Sequence, residues 1–199
     1  MARRVLYLTR HGETDWNVAG RWQGHTDIPL NSRGHAQAGA IAEALARVGL
    51  VAVVSSDLSR AYDTARIVTE RLGLPLPHRD AGLRERAFGP FEGLTRAECE
   101  RMHPVLWRAW LDEQRAPEGA EGRGVVAARM VAAMGRVAAG LARDDAPALI
   151  VTHGGALRAA VSTVGVMPPP IRNGAIWRIE WENGMVSAEA IDDDLASQK

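Results

Sequence analysis

The chain has 199 residues but one cysteine, Cys99, which leaves it no disulfide framework and no cysteine metal cluster. The glutamates on either side of that thiol suit a helix surface better than a reactive site. Charge of one sign is not in excess: Lys plus Arg and Asp plus Glu count 24 each. That balance supplies no basic footprint for a nucleic acid and no polybasic face for a membrane, so any anion site must be local. No apolar run is long enough to span a bilayer. After Met1-Ala2-Arg3-Arg4 the apolar run is too short for a signal peptide, and a soluble cytoplasmic protein is expected. Metal-ligand spacing is missing too. His25, His35, His78 and His103 are scattered, and no His-Glu-x-x-His occurs, so no catalytic metal is expected. No Pro/Ser/Gly-rich linker divides the chain. At 46% hydrophobic content it can bury a core, and one domain over residues 1–199 is expected.

What is present is an alternation of strand-like and helix-like segments. Val5–Leu8, Val51–Val54 and Ala148–Val151 are short apolar runs of the buried-strand kind. Asn31-Ser32 caps a helix with Ala38, Ile41, Leu45 and Val48 on one face, and Gly49 stops it. Ser59 to Leu72 is helical by spacing, with Leu58, Tyr62, Ala65, Val68 and Leu72 facing inward; Gly73 and Pro75 end it. Thr95 and Glu98 form a capping box for a short helix that Pro104 interrupts. Further helices run from Val105 to Glu113, from Val125 to Leu141, and from after His153 through Val164. Asn183-Gly184 turns a hairpin between Ala175–Trp181 and Val186–Ile191, and Asp192 to Lys199 reads as a solvated tail. The alternation predicts a three-layer α/β/α sandwich: a mainly parallel central sheet, helices on both faces, and a C-terminal β-hairpin. The segment at about 95–124 is expected to form a small helical insert over the site.

In such a sheet, ligands bind beyond the carboxyl ends of the strands. Arg10-His11 follow the first strand, Ser55 to Arg60 the second, and His153 the third. Three separate segments therefore deliver polar groups to one edge. The richest is Leu8-Thr9-Arg10-His11-Gly12-Glu13-Thr14. Arg10 offers a fixed charge and a fork of donors for phosphate oxygens. Gly12 lets the backbone approach a ligand, and the imidazole of His11 is a candidate nucleophile. Taken singly these residues have bland readings. Arg60 is then a surface charge, His153 a core histidine, Glu85 a solvated loop carboxylate, and Asn17 a turn cap. Convergence on one edge, with two glycines after His153 suggesting a helix N-terminus aimed at an anion, tips the reading toward a phosphate site. Trp16 and Trp22 are equally core or pocket wall. Trp107 and Trp110, three apart on a helix, read as packing.

These blocks resemble the histidine phosphatase superfamily, the phosphoglycerate mutase-like family. The likeness runs from about Val5 to about Val164. It is carried by Arg10-His11-Gly12-Glu13-Thr14, Trp16-Asn17, Gln23-Gly24 and Asp27-Ile28-Pro29-Leu30, with Gly34 before the helix. Ser55-Ser56-Asp57-Leu58 with Arg60-Ala61 and Thr64-Ala65 form the second block. The third is Leu83, Glu85, Gly89 and Glu92-Gly93, and the fourth is Val151-Thr152-His153-Gly154-Gly155. The resemblance implies a phosphomonoester hydrolase acting on a small phosphorylated metabolite, without cofactor or metal. His11 would become a phosphohistidine and His153 would donate to the phosphoryl group. Arg10 and Arg60 would clamp its equatorial oxygens, and Asn17 would add an amide donor. Gln23, Gly24, Arg86 and Gly154 would complete the phosphate and substrate contacts. Glu85 would protonate the leaving oxygen and later serve as base for water.

Those roles suit the chemistry. A neutral imidazole is not repelled by a phosphomonoester dianion, and charge spreads over three equatorial oxygens in the transition state. Fixed donors stabilise that charge best where water is excluded. Glu85 must be protonated to act as an acid; burial favours that form, while Arg84 and Arg86 in the sequence oppose it. Cofactor-dependent phosphoglycerate mutases share Glu85-Arg86, Phe88-Gly89 and Gly93-Leu94. They carry an adjacent arginine pair in a longer insert, where this chain has the separated Arg108, Arg115 and Arg123. Many small phosphatases of the family have Gly-Glu-Ser before the next helix; here the match is only Gly119-Ala120-Glu121-Gly122. A phosphatase is the reading that fits best. A mutase is the alternative, and a non-catalytic phosphate-ester binding protein is the alternative of another class. The oligomeric state is not written in the sequence; a homodimer is compatible with it.

Overall fold

Every residue of the strand Ala148–Thr152 is buried, as a strand covered on both faces must be. Its side chains alternate between two cores. Ala148 and Ile150 enter one, and Leu149 and Val151 enter the other. The structure, a computed structural model, describes residues 3–112, 115–142 and 146–191. Its strands are β1 (Arg4–Arg10), β2 (Ala52–Ser55), β3 (His78–Arg79), β4 (Ala148–Thr152), β5 (Ile176–Trp181) and β6 (Met185–Ile191). They form one sheet in the order β3-β2-β4-β1-β5-β6. The first three contacts in that order are parallel, while β5 pairs antiparallel with both β1 and β6. The sheet is thus parallel on the side that carries the polar segments, and the expected hairpin closes the opposite side.

Helices α2 (Ser32–Leu45) and α3 (Ser59–Leu72) cover one face, and α6 (Arg123–Gly140) and α7 (Gly154–Val161) cover the other. Between the two pairs lie α4 (Arg96–Met102) and α5 (Pro104–Leu111), and a single turn, α1 (Asp15–Val18), follows β1. Local chemistry explains the ends. Asn31 accepts from the Gly34 N–H at the start of α2. Thr95 and Glu98 form the expected reciprocal capping box of α4, and Pro104 opens α5 instead of breaking it. Around α4 and α5 the buried Phe88, Phe91, Cys99, Trp107 and Trp110 make a third apolar cluster, with Trp22 packed against it. Trp107 and Trp110 are therefore packing residues. No helix among the described residues is long and apolar enough to cross a membrane.

Some elements depart from expectation. Helix α2 stops at Leu45, and Gly49 instead turns the chain at φ 74° before β2. On α3, Leu72 packs against the core as expected, but Tyr62 is only half-buried; the buried face is Arg60, Ala61, Thr64, Ala65, Val68 and Thr69. The reason is that the helix turns polar groups inward to build a site, which an apolar-spacing rule cannot anticipate. The C-terminal part of the segment through Val164 is a 3-10 turn, Ser162–Val164. The short β3 and the α1 turn carry no apolar pattern and were not visible in the sequence. The expected helix end at Glu113 and the tail at 192–199 lie outside the described residues.

One contact sets how closely α2 meets the loop after β1. A Cβ on Gly34 would stand 2.2 Å from the Glu13 carbonyl oxygen, and one on Gly12 would stand 2.3 Å from the Gly34 oxygen. Both obstacles are backbone and cannot swing aside. Gly34→Ala is expected to lower unfolding free energy by about 1–3 kcal/mol, the usual cost of overpacking. The control Gly124→Ala, whose Cβ would meet open space, should not destabilise. Urea midpoints compare the two.

Candidate active site

Strands β1 and β4 are neighbours in register, with Arg10 opposite Thr152. The next residue on each strand therefore leaves the sheet beside the other: the His11 and His153 ring centroids are 5.0 Å apart and the planes meet at 62°. The backbone here is tied down. The His11 N–H donates to Thr152 O at 2.9 Å. The Gly12 N–H donates to Thr64 Oγ1 at 3.0 Å, and that hydroxyl donates to Arg60 O at 2.7 Å. Both histidines are buried, His153 completely.

Hydrogen-bond partners decide where the ring protons sit. Gly12 O, 2.6 Å from His11 Nδ1, can only accept, so Nδ1 carries the hydrogen and Nε2 keeps its lone pair. Arg60 Nε, 3.2 Å from His153 Nδ1, can only donate, so the hydrogen of His153 is on Nε2. Burial holds both imidazoles well below their ordinary value, and the Arg60 charge adds to the effect on each. The pair is neutral at physiological pH: one ring offers a lone pair, the other an N–H.

Arg60 is fully buried on α3. Besides His153 it donates to Thr26 O at 2.9 Å and Gly24 O at 2.8 Å. Burial pulls it down to about 10, with Glu85 acting in the opposite sense, so it stays a cation at neutral pH. Arg10 is lowered by burial too, again partly offset by Glu85. It donates to Ile171 O at 2.6 Å. Asn17 caps the turn of α1, where Oδ1 accepts from the Thr14 N–H at 3.1 Å. The cap reading and the site reading both describe this residue, which also lines the cavity beside His11.

Glu85 reaches the start of α7. Its Oε1 accepts from the Arg86 and Ala156 N–H groups, each at 2.8 Å, and its Oε2 accepts from the Gly155 N–H at 3.0 Å. A helix N-terminus is where a carboxyl group is best received. The approach needs glycine: a Cβ on Gly155 would lie 2.5 Å from Glu85 Oε1. The neighbouring arginines are committed elsewhere. Arg84 grips Asp57 with two bonds, at 2.7 and 2.5 Å, and the Arg86 guanidinium lies 3.6 Å over the Trp110 ring and donates to Glu121 O. The backbone of Glu85 is held as well, its carbonyl accepting from Arg129 at 2.7 Å and contacting His25 Nε2 at 2.8 Å.

A cavity of about 290 Å³ opens here. Arg10, His11, Asn17, Gln23, Glu85 and Gly154 line it, as do Trp22, Phe88, Arg21 and Arg158. Arg60, His153, Gly24 and Arg86 are not among the lining residues; His153 packs against His11 of the wall, and Arg60 ties His153 to Gly24. No residue of the insert at 95–124 lines it either, but its aromatic cluster backs Trp22 and Phe88, whose rings are 4.6 Å apart. Trp22 is therefore pocket wall. Arg10 Nε, His153 Nε2 and Gln23 Oε1 are buried polar atoms with no hydrogen-bond partner. Such atoms cost about 1–3 kcal/mol each unless something pairs with them, and all three belong to this site.

Residues 6–195 match the sequence model of the histidine phosphatase superfamily (branch 1). The chain belongs to the histidine phosphatase superfamily. Among relatives of this superfamily member, the glucosyl-3-phosphoglycerate phosphatase of Mycobacterium tuberculosis is 39% identical over 175 residues, 84% of this chain and 78% of its own. The metal-independent phosphoserine phosphatase of Arabidopsis thaliana is 39% identical over 158 residues, 77% of this chain and 66% of its own. The solved structure of Bacillus stearothermophilus YhfR superposes with a TM-score of 0.83 at 31% identity, covering 96% of both chains.

Three functional neighbours escaped the sequence reading. Asn173 donates to His11 O at 2.9 Å and to Asn17 Oδ1 at 3.1 Å; the Asn-Gly pair it forms with Gly174 was a turn signal that could have marked it. Arg129 donates to the carbonyls of Gly82, Arg84 and Glu85 and to both oxygens of Glu121. Nothing in the alanine-rich α6 sequence singles it out. Arg158 lies one turn after Gly154, and helical spacing alone puts the two on one face.

The neutral histidines make stability depend on pH. Unfolded, each imidazole titrates near 6.5; folded, it stays neutral further into the acid. In that window the unfolded chain holds more protons. This contribution is therefore complete above about pH 6.5 and is lost as pH falls, by at most about 1.4 kcal/mol per pH unit per histidine. Urea unfolding at pH 7.5, 6.0 and 5.0 should show a shallower loss for His11→Asn than for the wild type. Equal slopes would mean that folded His11 takes up its proton as readily as unfolded His11.

Proposed function

We propose that this protein hydrolyses small phosphomonoesters through a phosphohistidine on His11. The observation that carries the reading is the complementary pair of tautomers in two neutral rings 5.0 Å apart: His11 keeps its lone pair on Nε2, and His153 carries its hydrogen on Nε2. In the first step His11 Nε2 attacks phosphorus and the ester P–O bond breaks. Glu85 gives its proton to the leaving oxygen, which departs as an alcohol. In the second step water attacks the phosphohistidine, Glu85 takes a proton from it, and inorganic phosphate leaves with His11 restored. Oε1 of Glu85 already accepts two N–H groups while Oε2 accepts one. Oε2 is therefore the oxygen with room for the transferred proton.

Arg10, the His153 N–H and the Asn17 amide supply donors to the phosphoryl oxygens, and charge stabilisation of this kind needs no metal. Arg60 acts from behind. It fixes the tautomer of His153, and its charge adds to burial in keeping both histidines neutral. Its two terminal nitrogens each keep one N–H beyond those given to Gly24 and Thr26, which leaves the expected clamp on equatorial oxygens within its capacity. A phosphatase is favoured over a mutase because Arg108, Arg115 and Arg123 are neither adjacent nor on the cavity wall.

Rapid quench with labelled phosphoserine in EDTA should yield an acid-labile phosphoenzyme and full turnover; His11→Ala should yield neither. Loss of activity in EDTA with recovery on adding magnesium or zinc would overturn the metal-independent mechanism.

Glu85 is tested by leaving group. Glu85→Gln should slow the phosphoenzyme burst from alkyl phosphates by roughly a hundredfold or more, the usual worth of a positioned acid. The burst from p-nitrophenyl phosphate, whose phenolate leaves unprotonated, should change little. Gly155→Ala, which pushes the carboxyl off its N–H groups, should reproduce the pattern in weaker form with the fold intact by circular dichroism. An equal loss for both substrates would remove Glu85 as the leaving-group acid.

A further inference from the structure

The cavity holds more positive charge than one phosphoryl group requires. Arg10 faces Glu85 and the nucleophile. Arg21 is spent on Glu98, at 2.8 Å, and on Gly93 O. Arg158 also lines the cavity, its residue is solvent-exposed, and among the described residues no carboxylate or carbonyl engages its guanidinium. It lies on α7 four residues after Gly154 and three after Gly155, on the same helical face.

That placement has a direction. Glu85 sits on the first turn of α7, so the leaving oxygen it protonates is at that turn. Arg158 is one turn further along the same helix, about 5.4 Å. Whatever the leaving oxygen is attached to passes Arg158. A guanidinium fork matches a carboxylate oxygen for oxygen. One monocation balances one monoanion, whereas a second phosphate dianion would call for a further cation, and Arg21 on the cavity wall is already held by Glu98.

We infer that Arg158 is a specificity-determining residue that takes a carboxylate on the leaving-group side, so that the favoured substrates are phosphomonoesters of small hydroxy acids. The inference rests on the phosphoryl chemistry assigned to His11. The cavity of about 290 Å³ suits a phosphoryl group plus a few carbons, with Trp22 and Phe88 as the apolar wall for the carbon chain.

3-Phosphoglycerate and glycerol 3-phosphate share a skeleton and differ in a carboxylate against a hydroxymethyl group. The wild type should favour the acid in kcat/KM by roughly ten- to hundredfold, the worth of a charge-assisted hydrogen bond, and the preference should narrow as salt rises. Arg158→Gln should erase the preference through KM, lowering kcat/KM for the acid far more than for glycerol 3-phosphate, and should be partly rescued by Arg158→Lys. No preference in the wild type, or equal losses on both esters in Arg158→Gln, overturns the assignment. Calorimetric binding of the same two esters to His11→Ala, with and without Arg158→Gln, reads the subsite without turnover. A carboxylate preference there with no phosphate release by the wild type keeps the subsite and overturns the phosphatase reading. Phosphate release with no preference in either assay does the reverse.

Discussion

The hydrogen bond from Arg60 Nε to His153 Nδ1 joins a fully buried guanidinium to the second histidine of the site. An arginine can only donate, so His153 must accept on Nδ1 and carry its hydrogen on Nε2. A protonated His153 would have no lone pair for Arg60 and would place two positive charges in contact. The same charge bears on His11 across the ring contact. Burial is the larger reason that both histidines stay neutral; the guanidinium adds to it on each ring and fixes the tautomer of His153.

Burying an arginine is costly unless its donors are satisfied. Here the carbonyls of Gly24 and Thr26 take the terminal nitrogens. Those carbonyls belong to the loop before α2, which is held in turn by Glu92 through the N–H groups of His25 and Thr26 and the Thr26 hydroxyl. Glu92 is therefore a brace for the Arg60 cradle. The loop bearing Glu85 has a brace of its own in Arg129 and Glu121. The rigid sheet positions the histidines, and two loop braces position the groups that act on them.

Much of this was legible beforehand, for a geometric reason. In a parallel sheet, residues just past the carboxyl ends of adjacent strands must be neighbours, so Arg10-His11 and His153 could be brought together on paper. The glycines after His153 announced a helix start that can receive an anion. The structure adds that the group received there first is the protein's own Glu85 carboxyl. On α3, Leu72 packs against the core as its spacing predicts, but Tyr62 does not, because apolar spacing cannot see that Arg60 and Thr64 take inward places to serve the site.

By itself, the sequence determined the layer order of strands and helices, the sheet edge where polar groups collect, and the identity of the two histidines and two arginines there. Those follow from periodicity and from short motifs whose members are neighbours along the chain. The tertiary structure decided which way each side chain spends its donors. Arg60 turns inward to Gly24, Thr26 and His153; Arg86 lies over Trp110; Arg129 enters from a helix whose sequence does not single it out, and Asn173 joins His11 and Asn17 from a distant turn. A donor chooses among acceptors that are tens of residues away in the chain, and only folding brings those within about 3 Å.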